Sequence, residues 1–572
     1  MVYFNSWDEK CKSPFGAIKK DSKACFTVFS DSCDKCYIVL NGIETEMEKG
    51  EGKFTKEVEF NTLELVFYYF RLISQNGVSY YLGKGTAENY QFSVNPPQRA
   101  FQVTVTECDE PLPQWYTKGI VYQIFPDRFC REGEILNPKN NIHIYENWEE
   151  TPKYLKTPNG EIEKWDFFGG NLKGIISKLD YLKSLNVSAI YLNPVFEACS
   201  NHRYNTADYF KIDPMLGSEE DFEELIAKAD EKGIKIILDG VFNHTGADSI
   251  YFNKFSNYGN DGAFVNENSK YRSWFKFDEY PDKYKSWWGV GDLPTLNTEN
   301  PDVQDYLIEN ENSVINKWTK KGIGGWRLDV ADELSDNFLL KLNKEVKKYG
   351  DKIVIGEVWE DASNKISYDV RKSYFAKREL DGVMNYPLRD NLLLFYKNSL
   401  NAFELANIYM TQMENYPKRN FEANLNLIDS HDVERILTCA KDINEENGLE
   451  IMKSLVTLQF VFPGVPCIYY GDEAGLEGRC DPDNRRTYPW GKENSELLEF
   501  YREITALRAE NELLKNGNTL FDAVDNDIFC IVRYDSNKKL VLYANRSNEE
   551  KAFICPHTGK EISLKSFGFK IV

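Results

Sequence analysis

Between Ala24 and about Lys84 the chain alternates apolar and polar residues in short runs, ACFTVFSD, KCYIVLNG, KFTKEVEF and LVFYYFRLIS, divided by Asn-Gly, Gly and charged turns. Period-two patterning in segments rich in β-branched and aromatic residues predicts strands, so residues 1–110 read as an N-terminal β-sandwich. Two proline-rich stretches, NPPQ (95–98) and EPLPQ (110–114), follow as stiff connectors. Beyond them apolar strands alternate with amphipathic helices, the signature of parallel βαβ units. In one unit Ser218 is the N-cap with Asp221 three residues on, Phe222, Leu225, Ile226 and Ala229 fall on one helical face, and Gly233 ends the helix before IKIILDGVFNH. Further helices are predicted at 303–320, 336–349 and 496–515. The segments GIVYQIF, SAIYLNP, IKIILDG, GGWRLDV, IVIGEVW, GVMNYPL, ANLNLID and PCIYYGD supply eight parallel strands. They predict an α/β fold, a closed (β/α)8 TIM barrel over residues 115–516 with its active site at the strands' carboxyl ends. Residues 245–300, too long for a turn and rich in Tyr, Phe, Trp and Asn, predict a loop-rich excursion after strand 3 over the barrel mouth. Short alternating segments return at 517–572 and predict a C-terminal β-sandwich.

Charge narrows the partners. The chain carries 69 Lys+Arg against 90 Asp+Glu, a formal charge of -21, and has no basic run able to neutralise a phosphate backbone, which argues against nucleic acid. Aromatic residues make up 14%, and flat rings that leave polar groups free suit the apolar faces of sugars, although any single ring is more often core. The opening MVYFNSWDEKC has neither a basic start nor an export-length apolar stretch, and no segment offers 18 uninterrupted apolar residues. The expectation is a cytoplasmic protein without a membrane partner. Its 12 cysteines show no regular spacing, as reduced thiols would, and the single CxxC at Cys33 and Cys36 lacks the second pair or the histidines that a zinc site needs.

Polar residues gather where the apolar strands end: Asp239, Asn243 and His244 after the third, Arg327 and Asp329 at the fourth, Glu357 at the fifth, Asp429, His431 and Asp432 at the seventh. One acid after a strand is usually a turn or helix cap. Four such sets on one barrel rim would be neighbours in space, which favours chemistry.

The segments DGVFNH (239–244), GWRLDVADE (325–333), GEVW (356–359) and LIDSHD (427–432) resemble, in order and spacing, the four signature regions of the α-amylase family, glycoside hydrolase family 13. YQIFPDRF (122–129), SNHRYNTADYF (200–210), LPTLN (293–297) and YYGDEAGLEGRCDPDNRR (469–486) resemble its neopullulanase, cyclomaltodextrinase and maltogenic amylase branch. The resemblance implies a retaining hydrolase of α-glucosidic bonds, α-1,4 with α-1,6 left open, in maltooligosaccharides, starch-like glucans, pullulan or cyclodextrins. It implies Asp329 as nucleophile, Glu357 as acid and base, and Asp432 as the residue that holds hydroxyls of the distorted ring. Arg327, two residues before Asp329, would keep that carboxyl ionised, and the pKa of Glu357 would lie above it. Tyr122 would stack under the reacting ring. His202, Tyr204, His244, Trp359, His431, Asp481 and Arg485 would meet the substrate.

The sequence departs from the family at Glu360, where His often follows the tryptophan, at Asp332, usually Asn in this branch, and at Thr295, often Lys. No cofactor is required. A structural calcium ion stays open, since relatives bind one after the first strand, whereas REGEILNPKNN offers few carboxylates and Asn171 stands where some have Asp. A transglycosidase or isomerase on the same barrel and a non-catalytic glucan binder are the alternative readings, and the N-terminal unit could bind glucan or form a homodimer.

Overall fold

The computed structural model describes residues 2–85, 88–107, 110–160 and 162–572. Its centre is an eight-stranded parallel sheet: Val121–Ile124, Ala189–Leu192, Lys235–Gly240, Gly325–Leu328, Ile353–Gly356, Gly382–Val383, Leu425–Asn426 and Val465–Tyr469. These are the eight predicted strands in order. The first pairs with both the second and the eighth, and a bridge from Met384 to Leu425 joins the sixth to the seventh, so the sheet closes on itself. Period-two alternation sorts the side chains. Val121, Tyr191, Ile237, Ile355, Leu425 and Cys467 fill the barrel interior. Their neighbours Tyr122, Ile190, Leu238, Trp326 and Val354 belong to the cluster packed under the helices. Strands four and five approach so closely that a Cβ on Gly325 would stand 2.1 Å from the Ile353 carbonyl oxygen, which is why glycine begins strand four.

The helix Glu219–Glu231 has the expected capping box between Ser218 and Asp221, buries Phe222, Leu225, Ile226 and Ala229, and is followed by Gly233 at φ +72°. The helix predicted at 303–320 is interrupted instead. Pro301–Gln304 runs into a wide turn at Asp305–Glu309, the chain extends at Asn310, and Ser313 caps a new helix, Val314–Lys320. The polar run there takes over backbone bonding, with Ser313 Oγ donating to Ile308 O at 2.9 Å and Asn316 Nδ2 to Asn310 O at 2.7 Å. Asn511 likewise divides the predicted 496–515 helix into Ser495–Glu510 and Glu512–Asn516. Ser335 caps Asp336–Lys347, close to the expected span.

The excursion after strand three holds a small hairpin, Phe277–Glu279 with Lys283–Tyr284, whose Phe277 stacks on Phe252 at 5.8 Å and so joins the main core. It is tied to the rim by Leu296 N donating to Asn243 O at 2.9 Å and Thr245 N to Pro294 O at 3.1 Å. At the N-terminal side two sheets enclose a core of Phe26, Val28, Phe54, Tyr68, Phe70 and Val103. At the C-terminal side a four-stranded sheet, Asn518–Ala523, Ile528–Tyr534, Lys539–Asn545 and Phe569–Ile571, packs one face on the barrel helices. Its other face lies under a hairpin, Lys551–Ile554 with Glu561–Leu564. Among the described residues no helix is long and apolar enough to cross a membrane.

Candidate active site

The barrel register brings the acids together. Asp239 of strand three is paired in register with Arg327 of strand four, and Arg327 with Ile355 of strand five, two residues before Glu357. Asp329 follows Arg327 by two positions and shares its inward face. One guanidinium then meets three carboxylates. Arg327 Nη1 donates to Asp239 at 2.8 and 3.0 Å and to Asp329 Oδ1 at 2.9 Å, while Nη2 lies 3.0 Å from Glu357 Oε1. Asp329 is therefore hydrogen-bonded to one terminal nitrogen of a single planar group, and Glu357 is ion-paired with the other, which forms no hydrogen bond of its own among the described residues.

The loop between them is strained for this purpose. Val330 adopts φ +40°, a conformation rare for a β-branched residue, and its N–H donates to Glu357 Oε2 at 2.8 Å. Glu357 Oε1 also accepts from Trp359 Nε1 at 3.1 Å, and the Trp359 ring lies flat on Tyr386 with centroids 4.1 Å apart. Trp359 is 42% exposed, so a large apolar face stands open beside the acid.

Burial outweighs the guanidinium. It pushes Asp329 well above the usual carboxylate range despite Arg327, with Glu357 and Asp239 adding like charge. Arg327 does favour the ionised Asp329, as expected of it, but burial outweighs that pull. Glu357 is also raised, by burial first and by the charge of Asp432, against the pull of Arg327. Crowded carboxyls cannot all ionise readily, so the pair of acids retains a proton to higher pH than isolated groups would.

Asp432 behaves in the opposite way. Burial opposes its ionisation, but His431 and then Arg485 overcome it and hold its pKa below the usual range. Its Oδ2 lies 3.0 Å from His431 Nε2 and its Oδ1 3.3 Å from Arg485 Nη2. Gln123 Nε2 is 2.9 Å from His431 Nδ1 and donates to it, so the network assigns the ring proton to Nε2, facing Asp432. The same Nε2 lies 2.7 Å from the Tyr204 hydroxyl, which donates to Asp239 Oδ2 at 2.8 Å, and the Tyr204 and His431 rings are parallel within 5°. Half-buried His202 packs beside Tyr204 and edge-on to Trp165, and burial followed by Arg485 keeps it well below the ordinary histidine range, hence neutral. Arg485 Nη1 pairs with Asp481 at 2.8 Å, and Asp481 also accepts from Tyr154.

Most of the predicted residues thus converge, but Tyr122 takes a different place. Tyr122 is 0% exposed and donates to Glu473 Oε1 at 2.6 Å. In strand one it is Gln123 that points inward, and the period of two turns Tyr122 toward the helices, away from any sugar. His244 is 1% exposed beneath the Trp287 indole, 5.4 Å away, and burial lowers its pKa to about 4. Its ring stacks with that of Trp287, while its Nε2 has no hydrogen-bond partner among the described residues. Arg327 is wholly buried and organises carboxylates without an open face. Gln123, Tyr191, Asn193 and Tyr386 are site residues that sequence reasoning did not single out. Tyr191 OH donates to Asp239 at 2.7 Å and Asn193 Nδ2 to Tyr204 OH at 2.9 Å. Strict in–out alternation along strands one and two would have found Gln123 and Tyr191.

After strand one the side chains around Asn171 are engaged with the protein itself. Asn171 Oδ1 accepts from Gly174 N at 2.7 Å as a helix cap, and its Nδ2 donates to Glu132 O at 2.9 Å. Lys139 Nζ already meets Asp213 at 2.6 Å, and among the described residues no three His, Cys, Asp or Glu side chains converge as ligands. The buried Cys36 contacts Met47 sulfur at 3.4 Å, an apolar setting with no such ligand group beside it.

Residues 123–488 match the alpha amylase catalytic domain. The chain is 38% identical to a cyclomaltodextrinase of Geobacillus thermopakistaniensis over 76% of this chain and 70% of that one. It is 34% identical to an amylopullulanase of Thermoanaerobacterium thermosulfurigenes over 93% of this chain and 32% of the relative. It spans only a third to a half of the length of the amylopullulanases it matches. The structure of the type III pullulan hydrolase from Thermococcus kodakarensis superposes with a TM-score of 0.71 at 26% identity, covering 100% of both chains. The match of the catalytic domain through the barrel and the rim acids places this chain in the α-amylase family.

Proposed function

We propose that the chain hydrolyses α-glucosidic bonds with retention of configuration, with Asp329 as nucleophile and Glu357 as acid and base. The observation that carries this reading is the placement of both acids on one guanidinium, Asp329 hydrogen-bonded to Nη1 of Arg327 and Glu357 3.0 Å from its Nη2. In the first step a carboxylate oxygen of Asp329 bonds to the anomeric carbon as the bond to the leaving oxygen breaks, and Glu357 gives that oxygen its proton. In the second, Glu357 takes a proton from water, whose oxygen displaces Asp329 and restores both acids. Asp432, kept ionised by His431 and Arg485, accepts from sugar hydroxyls. Tyr204, parallel to His431, takes the place under the ring that Tyr122 cannot. The chemistry needs no cofactor.

The relatives' names support maltooligosaccharides, cyclodextrins and pullulan as substrates. The exposed Trp359 face beside the acid also supports a second reading, in which a sugar hydroxyl replaces water and the enzyme transfers. Digestion of amylose, pullulan and cyclodextrin, with products followed by chromatography and their first anomer by NMR, tests both. α-Anomeric free sugars are expected, and new linkages in excess would favour transfer. A β-anomer formed first, or binding without cleavage at any pH, would reject the proposal.

A further inference from the structure

A cavity of about 580 Å³ lies at the end of the barrel opposite the acids, bounded by linker residues 110–113, the carboxyl half of Asp336–Lys347 and the residues leading into strands five and six. Six cationic side chains line it against four carboxylates, a local positive surplus in a chain of formal charge -21. Two of the four carboxylates are engaged by cations of the wall. Asp381 accepts from Val354 N at 2.9 Å, meets Lys347 Nζ at 2.5 Å and lies 3.4 Å from Arg419, while Glu110 pairs with Arg378 at 3.3 Å. Lys344 and Lys377 have no carboxylate within ion-pair distance among the described residues.

The wall also carries donors without acceptors. Asn343 is 4% exposed and its Nδ2 has no hydrogen-bond partner, and the buried Nε of Arg378 has none. Arg378 is held there at φ +69°, a left-handed conformation that costs energy for a residue with a side chain. Buried donors left unpaired are expensive, so what this cavity lacks is an acceptor-rich, negatively charged group. Phosphate combines both properties, and Leu112, Pro113 and Leu340 offer an apolar wall to a carbon skeleton attached to it. We propose that this cavity binds a small phosphate-bearing metabolite. The inference does not depend on the hydrolytic reading.

The test is calorimetric titration of the full chain, at low salt, with inorganic phosphate, glucose 1-phosphate, AMP and glucose. The three phosphates bind and glucose does not; tighter binding of either ester than of inorganic phosphate shows that the site also reads the skeleton. Combined Lys344→Glu and Lys377→Glu weakens binding by about tenfold or more, because two attractions become repulsions. Asn343→Leu, a milder change, weakens it severalfold while glucan hydrolysis in the absence of phosphate is unchanged. No heat from any phosphate at about 10 mM, an equal response to chloride at matched ionic strength, or unchanged affinity in Asn343→Leu and the lysine variant would overturn the proposal.

Discussion

Two buried charge clusters in this molecule are near mirror images. At the rim, one cation, Arg327, serves the three carboxylates Asp239, Asp329 and Glu357. Where the N-terminal sheets meet the helix Ala402–Asn415, one carboxylate, Glu414, serves two cations, with Lys12 Nζ at 3.9 Å and Lys84 Nζ at 3.6 Å. Each surplus shifts pKa values against itself. Burial pushes both lysines down and the rim acids up. The difference lies in what satisfies the lone partner. Glu414 Oε2 also accepts from Ser6 Oγ at 2.8 Å and Trp7 Nε1 at 3.1 Å, and Lys84 sits 4.7 Å over the Trp7 ring, so the cluster is bonded into the packing. The rim cluster leaves Asp329 and Glu357 crowded beside an open aromatic face. One arrangement fastens two units; the other stores negative charge for a positive transition state.

That contrast can be broken by substitution. Asp329→Asn and Glu357→Gln each lower kcat by about a thousandfold or more while leaving the melting temperature unchanged or higher, because removing crowded charge relieves repulsion and unpacks nothing. Near-normal turnover in either variant, read in a maltotriose assay, would end the assignment. Glu414→Gln shows the reverse pattern. It leaves two buried lysines without their counterion, destabilises the chain by about 3 kcal/mol and leaves the KM for small glucans nearly constant. Loss of activity at full stability would mean that the lower cluster serves catalysis.

The smallest effect concerns pH. The folded pKa of Asp329 is above its unfolded value of about 3.9, so its stabilising contribution is complete below that value and is lost as pH rises through the folded one. Asp329→Asn removes this loss, and its melting temperature should gain on the parent by on the order of 1–2 °C between about pH 5 and pH 8. A difference that stays constant with pH would show that the carboxyl titrates as it does in the unfolded chain.

The eight strands and the Ser218 helix were legible because each rests on a local rule repeated often enough to be read, and Asp329, Glu357 and Asp432 because their segments resemble the family's signature regions. Helix interruptions at Asn310 and Asn511 were not, since side chains that cap backbone groups compete with continuation and only the packing decides which prevails. Tyr122 failed for a smaller reason. A motif names a segment, but a strand shows alternate residues to opposite sides, and the inward one is Gln123.

By itself the chain determined its hydrophobic periods, the order of strands and helices, and which polar groups stand at strand ends, because these follow from covalent spacing and backbone geometry. Only the closed barrel decided which polar groups share a partner, which are sealed under rings such as Trp287, and which way their pKa values move. Those outcomes depend on distance and burial between residues far apart in the chain. Coulomb interactions and desolvation are set by position in space, and spacing along a sequence does not carry that information.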